Sequence, residues 1–120
     1  MVCSEAVRGV GCCMAKALIE IKEILQSWSD PTIPKKVTTK EVSVSEAEHF
    51  DSTEKGEPLF RLVKLGEDKA LVEYNRAYTL KGYEQPMSRT IWLESHKPVE
   101  FSSLWNSNGV TKRLTLKRME

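Results

Sequence analysis

Apolar residues recur at alternating steps of three and four near the start of the chain: Val7, Val10, Met14, Ala17, Ile21, Ile24 and Trp28, with Leu18 and Leu25 beside them. Arg8, Lys16, Glu20, Lys22, Glu23 and Gln26 fall on the flanks and far side of the same wheel. This spacing lines one face of an α-helix and predicts a helix over about residues 4–28. Ser27, Ser29 and Asp30 lead into Pro31, whose ring disfavours helical geometry in the residue before it, so the helix should stop there. Gly9 and Gly11 each cost about 1 kcal/mol relative to alanine, which places the start of regular helix nearer Cys12.

After a linker over residues 29–36 the period changes from helical to alternating. Val37–Val44 is rich in β-branched residues and reads as a strand. The acidic, breaker-rich SEAEHFDSTEKGEP reads as a surface loop with one helical turn near Glu46 to His49. Leu59–Leu65 and Ala70–Leu80 flank Gly66-Glu67-Asp68-Lys69, a connection suited to a hairpin. Val72, Tyr74, Tyr78 and Leu80 share one side of the second segment, with Arg76 among them. Met87–Glu94 and Val99–Trp105 follow, and Asn106-Ser107-Asn108-Gly109 turns the chain into Val110–Met119. That last strand sets Val110, Lys112, Leu114 and Leu116 against Thr111, Arg113, Thr115 and Lys117.

The expected fold is α+β: one long N-terminal helix packed on a curved, mostly antiparallel sheet of about six strands, forming a single domain over residues 1–120. The arrangement is similar to that of cystatin-like and nuclear-transport-factor-2-like domains, a similarity of architecture that carries no residue assignments. The alternative is a small β-barrel with the helix docked on it.

Composition narrows the function classes. A net charge of +1 gives no whole-molecule attraction to a polyanion. The best apolar stretch is interrupted by Lys16, Glu20, Lys22 and Glu23, so no membrane span and no membrane partner are expected. Nor does the N-terminus read as a secretory signal, which makes the cytoplasm the expected location. All three cysteines, Cys3, Cys12 and Cys13, lie in the first thirteen residues, where they cross-link nothing. Cys12 and Cys13 would point about 100 degrees apart on a helix, unlike the ligands of a C-x-x-C loop, so no metal site is assigned to them.

The remaining chemistry is sparse. Glu46, Glu48, His49 and Asp51 crowd together, but a Glu-x-x-His metal site needs ligands from a second element and no second copy occurs. No G-x-S-x-G elbow or phosphate-binding glycine loop is present, and no cofactor is implied. The reading is therefore a non-enzymatic binding or interaction module for a protein or small-molecule ligand. Its expected site lies between helix and sheet, lined by Tyr74, Tyr78, Trp92 and Trp105 with Arg76 as polar group and His96 as the alternative. Residues 59–120 carry 11 basic against 7 acidic side chains. The second reading is thus nucleic-acid binding through Arg61, Lys64, Lys112, Arg113, Lys117 and Arg118. A third is a small cone-shaped α+β enzyme with an apolar pocket between helix and sheet. Homodimerisation, through the helical stripe or another surface, stays open.

Overall fold

The structure, a computed structural model, describes residues 15–27, 29–30, 32–105 and 108–120. Its elements are β1 Lys16–Ser27, β2 Lys36–Ser45, β3 His49–Ser52, β4 Pro58–Gly66, β5 Lys69–Tyr74, β6 Thr79–Leu80, β7 Thr90–Glu94, β8 Val99–Trp105 and β9 Asn108–Met119. No helix occurs among the described residues, so the α+β class is corrected to all-β, and the alternative barrel loses its docked helix as well. The stretch of the expected helix from Lys16 to Ser27 is β1. The earlier stretch, with Val7, Val10, Met14 and the three cysteines, lies outside the described residues, as does Trp28.

The physical reason is that ALIEIKEIL carries two periods at once. The helical stripe leaves out Ile19, yet Ile19 is fully buried, with Ala17 and Ile21 on the same side. Ala17, Ile19, Ile21, Glu23 and Leu25 thus form the inward row of an alternating strand. Isoleucines at 19, 21 and 24 favour that pleated geometry, because a branched Cβ loses more freedom in a helix. β1 can satisfy its backbone on both sides: it pairs antiparallel with β2, Ile21 opposite Lys40, and with β9, Ile21 opposite Leu114.

The strands form two antiparallel sheets, one ordered β2-β1-β9-β8-β6 and the other β3-β4-β5-β7. Their inner faces share one apolar cluster that includes Ile19, Ile21, Leu114 and Phe101 of the first sheet and Phe60, Leu62, Val72 and Leu93 of the second. Phe101 joins the layers, its ring centroid 5.1 Å from that of Phe60 and 5.1 Å from that of Tyr74. This is a β-sandwich, with alternation inward and outward along each strand.

Two crossings between the sheets depart from expectation. At Ser45–Glu48 the chain turns through Ala47 at positive φ, while Leu62 and residues 47 and 48 exchange backbone hydrogen bonds; β3 then follows where a loop was expected. The expected single strand Ala70–Leu80 is two strands in different sheets. Asn75 makes the break: its side-chain oxygen accepts from Ala77 N at 2.7 Å and its carbonyl from Tyr78 N at 3.0 Å. β2, β4, β8 and β9 match their expected strands closely, as does the hairpin closed by Gly66 opposite Lys69. The later hairpin closes with Trp105 opposite Asn108, so its turn pair, 106–107, lies outside the described residues.

Strand and helix readings of β1 make opposite predictions. Ile19→Lys should abolish cooperative unfolding and Ile24→Lys should leave it intact, as followed by urea denaturation; the helical stripe would reverse that order. Phe101→Ala should cost about 3–5 kcal/mol in the same measurement.

Candidate functional site

Three cross-strand rows of the first sheet face inward at the side where β2 forms its edge. One row runs Lys40, Ile21, Leu114, Val99; the next Thr38, Glu23, Lys112, Phe101, Leu80; the third Lys36, Leu25, Val110, Ser103. The middle row is polar toward β2 and apolar toward β6. Lys112 therefore sits in a core position with its side chain only 5 % exposed. A buried ammonium without partners would be strongly disfavoured. Two carboxylates answer it: Glu23, directly opposite on β1, at 2.9 Å, and Asp51 of β3, from the other sheet, at 3.0 Å.

Asp51 reaches Lys112 through an unusual backbone. In β3, Phe50 faces the core and stacks on Phe60, so simple alternation would turn Asp51 outward. At φ 62 its side chain is instead brought inward and is 6 % exposed. Aspartate tolerates this left-handed region better than most residues. Lys40 approaches the same carboxylate at 3.4 Å, and Ser52 N donates to it at 2.9 Å. Close by, the Tyr78 hydroxyl donates to Glu54.

Glu23, Lys40, Asp51, Glu54 and Lys112 line a cleft of about 270 Å³ between the β2 and β3 edges, with Ile21, Thr38, Thr39, Ser52 and Thr53 completing it. Burial opposes the charge of Lys112, but hydrogen bonds and attraction from Glu23 and Asp51 prevail and hold its proton above the ordinary lysine range. Burial, reinforced by Glu54, likewise pushes the Tyr78 phenol well up. Lys112 is thus a fixed cation, unsuited to act as base or nucleophile. The cleft presents a floor on which Lys112 answers Glu23 and Asp51, threonine hydroxyls, and Lys40 as an exposed cation at the rim.

The sequence-expected residues are dispersed. Tyr74 and Tyr78 are core residues, their hydroxyls on Gln85 and Glu54. Arg76 lies exposed in the turn after β5, His96 in the turn after β7, and Trp92 on the outer face of the second sheet. Trp105 ends β8, its side chain outside the described residues. Of the basic residues, Arg113 binds Glu100 on the outer face of the first sheet and Arg118 approaches Glu120 at 3.3 Å. Lys117 falls at an irregularity of the β1–β9 pairing. Arg61 and Lys64 belong to the second sheet, where Arg61 meets Glu73 at 3.0 Å. These six do not share a face. Nor does the acidic run gather: Glu46 accepts from Leu65 N and Glu48 from Ser45 N. Among the described residues no three His, Cys, Asp or Glu side chains are placed to hold a metal ion.

Glu23, Lys40 and Glu54 have no place among the sequence-expected site residues, and Asp51, weighed there only as part of an acidic cluster, meets Lys112 instead. One signal was available: Lys112 interrupts an apolar row, and an inward lysine requires a carboxylate. The fold and site define an antiparallel β-sandwich with a charged cleft along one open side. No family model, curated protein or solved structure matches the chain. No described helix is long and apolar enough to cross a membrane.

Lys112→Met should destabilise by about 3–5 kcal/mol in chemical denaturation, since Glu23 loses its cation and the buried Asp51 keeps only the exposed Lys40 at 3.4 Å. Adding Asp51→Leu should recover part of that loss. Both Lys112 and Tyr78 have folded pKa values above their unfolded ones of 10.5 and 10.0. Their contribution is whole below pH 10 and is lost as pH rises through the folded values. Stability should therefore fall steeply above pH 10, and Tyr78→Phe should flatten that fall.

Proposed function

We propose that the protein is a non-enzymatic interaction module of the cytoplasm that takes an extended peptide segment along the free edge of β2, at the mouth of the charged cleft. The observation carrying this reading is the run Lys36–Glu41: six consecutive exposed residues on a strand that pairs with β1 and, among the described residues, has no strand on its other side. An extended partner would gain main-chain hydrogen bonds there, and its alternate side chains would point into the cleft between β2 and β3.

Charge selects the partner. Lys36 and Lys40 face inward on either side of Thr38, so a side chain opposite Thr38 is a diagonal neighbour of both. A second copy of β2 paired antiparallel about Thr38 would set Lys36 against Lys40, and the same lysines discourage indiscriminate strand addition. An acidic side chain relieves that restraint. The expected ligand is an extended segment with a central Asp or Glu between β-branched residues.

The check is a titration of the full chain with a synthetic Val/Thr peptide carrying one central Glu, followed by amide NMR and calorimetry. Shifts should concentrate at residues 36–42, and a central Lys should weaken binding several-fold, at roughly 0.2–1 kcal/mol per cross-strand charge contact. Lys36→Glu with Lys40→Glu should reverse the preference. Binding that survives N-methylation of the peptide backbone, or no binding of either peptide, would refute strand addition.

A further inference from the structure

The outer face of the second sheet gathers a separate group of basic and aromatic side chains. There the pairing sets His49, Arg61, Glu73 and Thr90 in one row and Lys64, Leu71 and Trp92 in the next. Leu93 beside Trp92 is fully buried, so Trp92 points to the solvent side, where it is half-buried. Lys69 Nζ lies 4.5 Å from the centre of its ring, so a cation already rests against the π-face. At one end of the face is a basin of about 660 Å³ lined by Arg61, Arg76 and Arg89 among others.

We propose that this face binds single-stranded nucleic acid, with a base stacked on Trp92 and phosphates on Arg61, Lys64, Lys69 and Arg76. The two acids nearest Trp92 and Arg61 are engaged within the protein, Glu94 by Lys97 and Glu73 by the Nε of Arg61 alone, so the surface beside Trp92 is left with Lys64 and Lys69 and the basin with Arg76 and Arg89. Glu57 is the basin's other acid, and Glu67 and Asp68 bound the far end of the face in the β4–β5 turn. From Arg61 to Trp92 is two strands across and two residues along, about 12 Å, a span of successive nucleotides in an extended chain. On binding, a base takes the place of the Lys69 ammonium over the ring and that ammonium moves to a phosphate. Stacking on an aromatic beside cations is how sequence-tolerant single-strand sites work. A duplex cannot offer its base faces in this way, so the site discriminates by strandedness.

The experiment measures anisotropy of a labelled oligothymidylate of about twelve nucleotides against the full-length protein, over a salt series. Binding should weaken with salt and exceed that of a duplex of equal length. Trp92→Ala should weaken it roughly tenfold. Lys64→Glu with Lys69→Glu should weaken it further and reduce the salt slope by about 1.4, two phosphate contacts on a single strand. These side chains lie outside the core, so circular dichroism of the variants should match that of the parent protein. Lys36→Glu with Lys40→Glu, on the other sheet, should leave the titration unchanged. Absence of binding at low salt would overturn the proposal. So would equal affinity for duplex and single strand, or affinity insensitive to Trp92 and both lysines but lost on Arg113→Glu.

Discussion

The desolvation of one ammonium group organises this fold. Lys112 occupies a position that the alternation of β9 assigns to the core, between Val110 and Leu114. An unpaired charge there is not tolerable. Glu23 is supplied by register, as its direct partner on β1, and this costs no distortion. Asp51 is supplied by the other sheet, and requires a left-handed backbone at φ 62. The cluster therefore does more than neutralise a charge: it ties the edge of one sheet to the middle of the other. A hydrophobic residue at 112 would pack without specifying which part of β3 lies above it. The ion pair specifies both strand and register, the best-attested use of buried charge.

How far the sequence revealed this varies with the kind of signal. Strands bounded by turns and rich in branched residues, such as Lys36–Ser45 and Val99–Trp105, were legible because local chemistry and final structure agree. Residues 16–27 were not, since their pattern satisfies both periods. The decision falls to partners remote in sequence: β9 lies some ninety residues away, and its backbone pairs with β1 along almost the whole strand. A helix would have left β2 and β9 without their shared neighbour. The break at Asn75 is hidden in the sequence because Val72, Tyr74, Tyr78 and Leu80 keep one parity across it. All four are buried, so the apolar pattern is continuous where the sheet is not. Asn75 held the clue, through its capacity to fold its side chain back on Ala77 N.

Candidate site residues were harder, for a related reason. Counting basic residues along the C-terminal half assumes that neighbours in sequence share a surface. In a strand they do not: Lys112 and Arg113 point to opposite faces, one into the cleft and one to Glu100. Register re-sorts the charges. Arg61 and Lys64, expected in one group, and Trp92, expected in another, come together on the outer face of the second sheet. Lys69 joins them by way of the hairpin.

The unequal lengths of the sheets explain why the polar side stays open. β1 and β9 run for 12 residues each, whereas β3, facing their polar ends, runs for 4. The inner rows at Glu23 and Leu25 therefore extend past the end of β3, under a cover that the turn at Thr53–Glu54 and the crossing at Tyr78 complete only in part. Extending β3 would bury Thr38 and Lys40 of β2 and demand further carboxylates. Stopping it at Ser52 leaves those side chains hydrated, with Lys40 free to leave Asp51 at small cost, because an exposed partner at 3.4 Å gains little from the contact. Rigidity and access are thus assigned to different members of one cluster: Lys112 fixes the sandwich, and Lys40 supplies the movable charge at its rim.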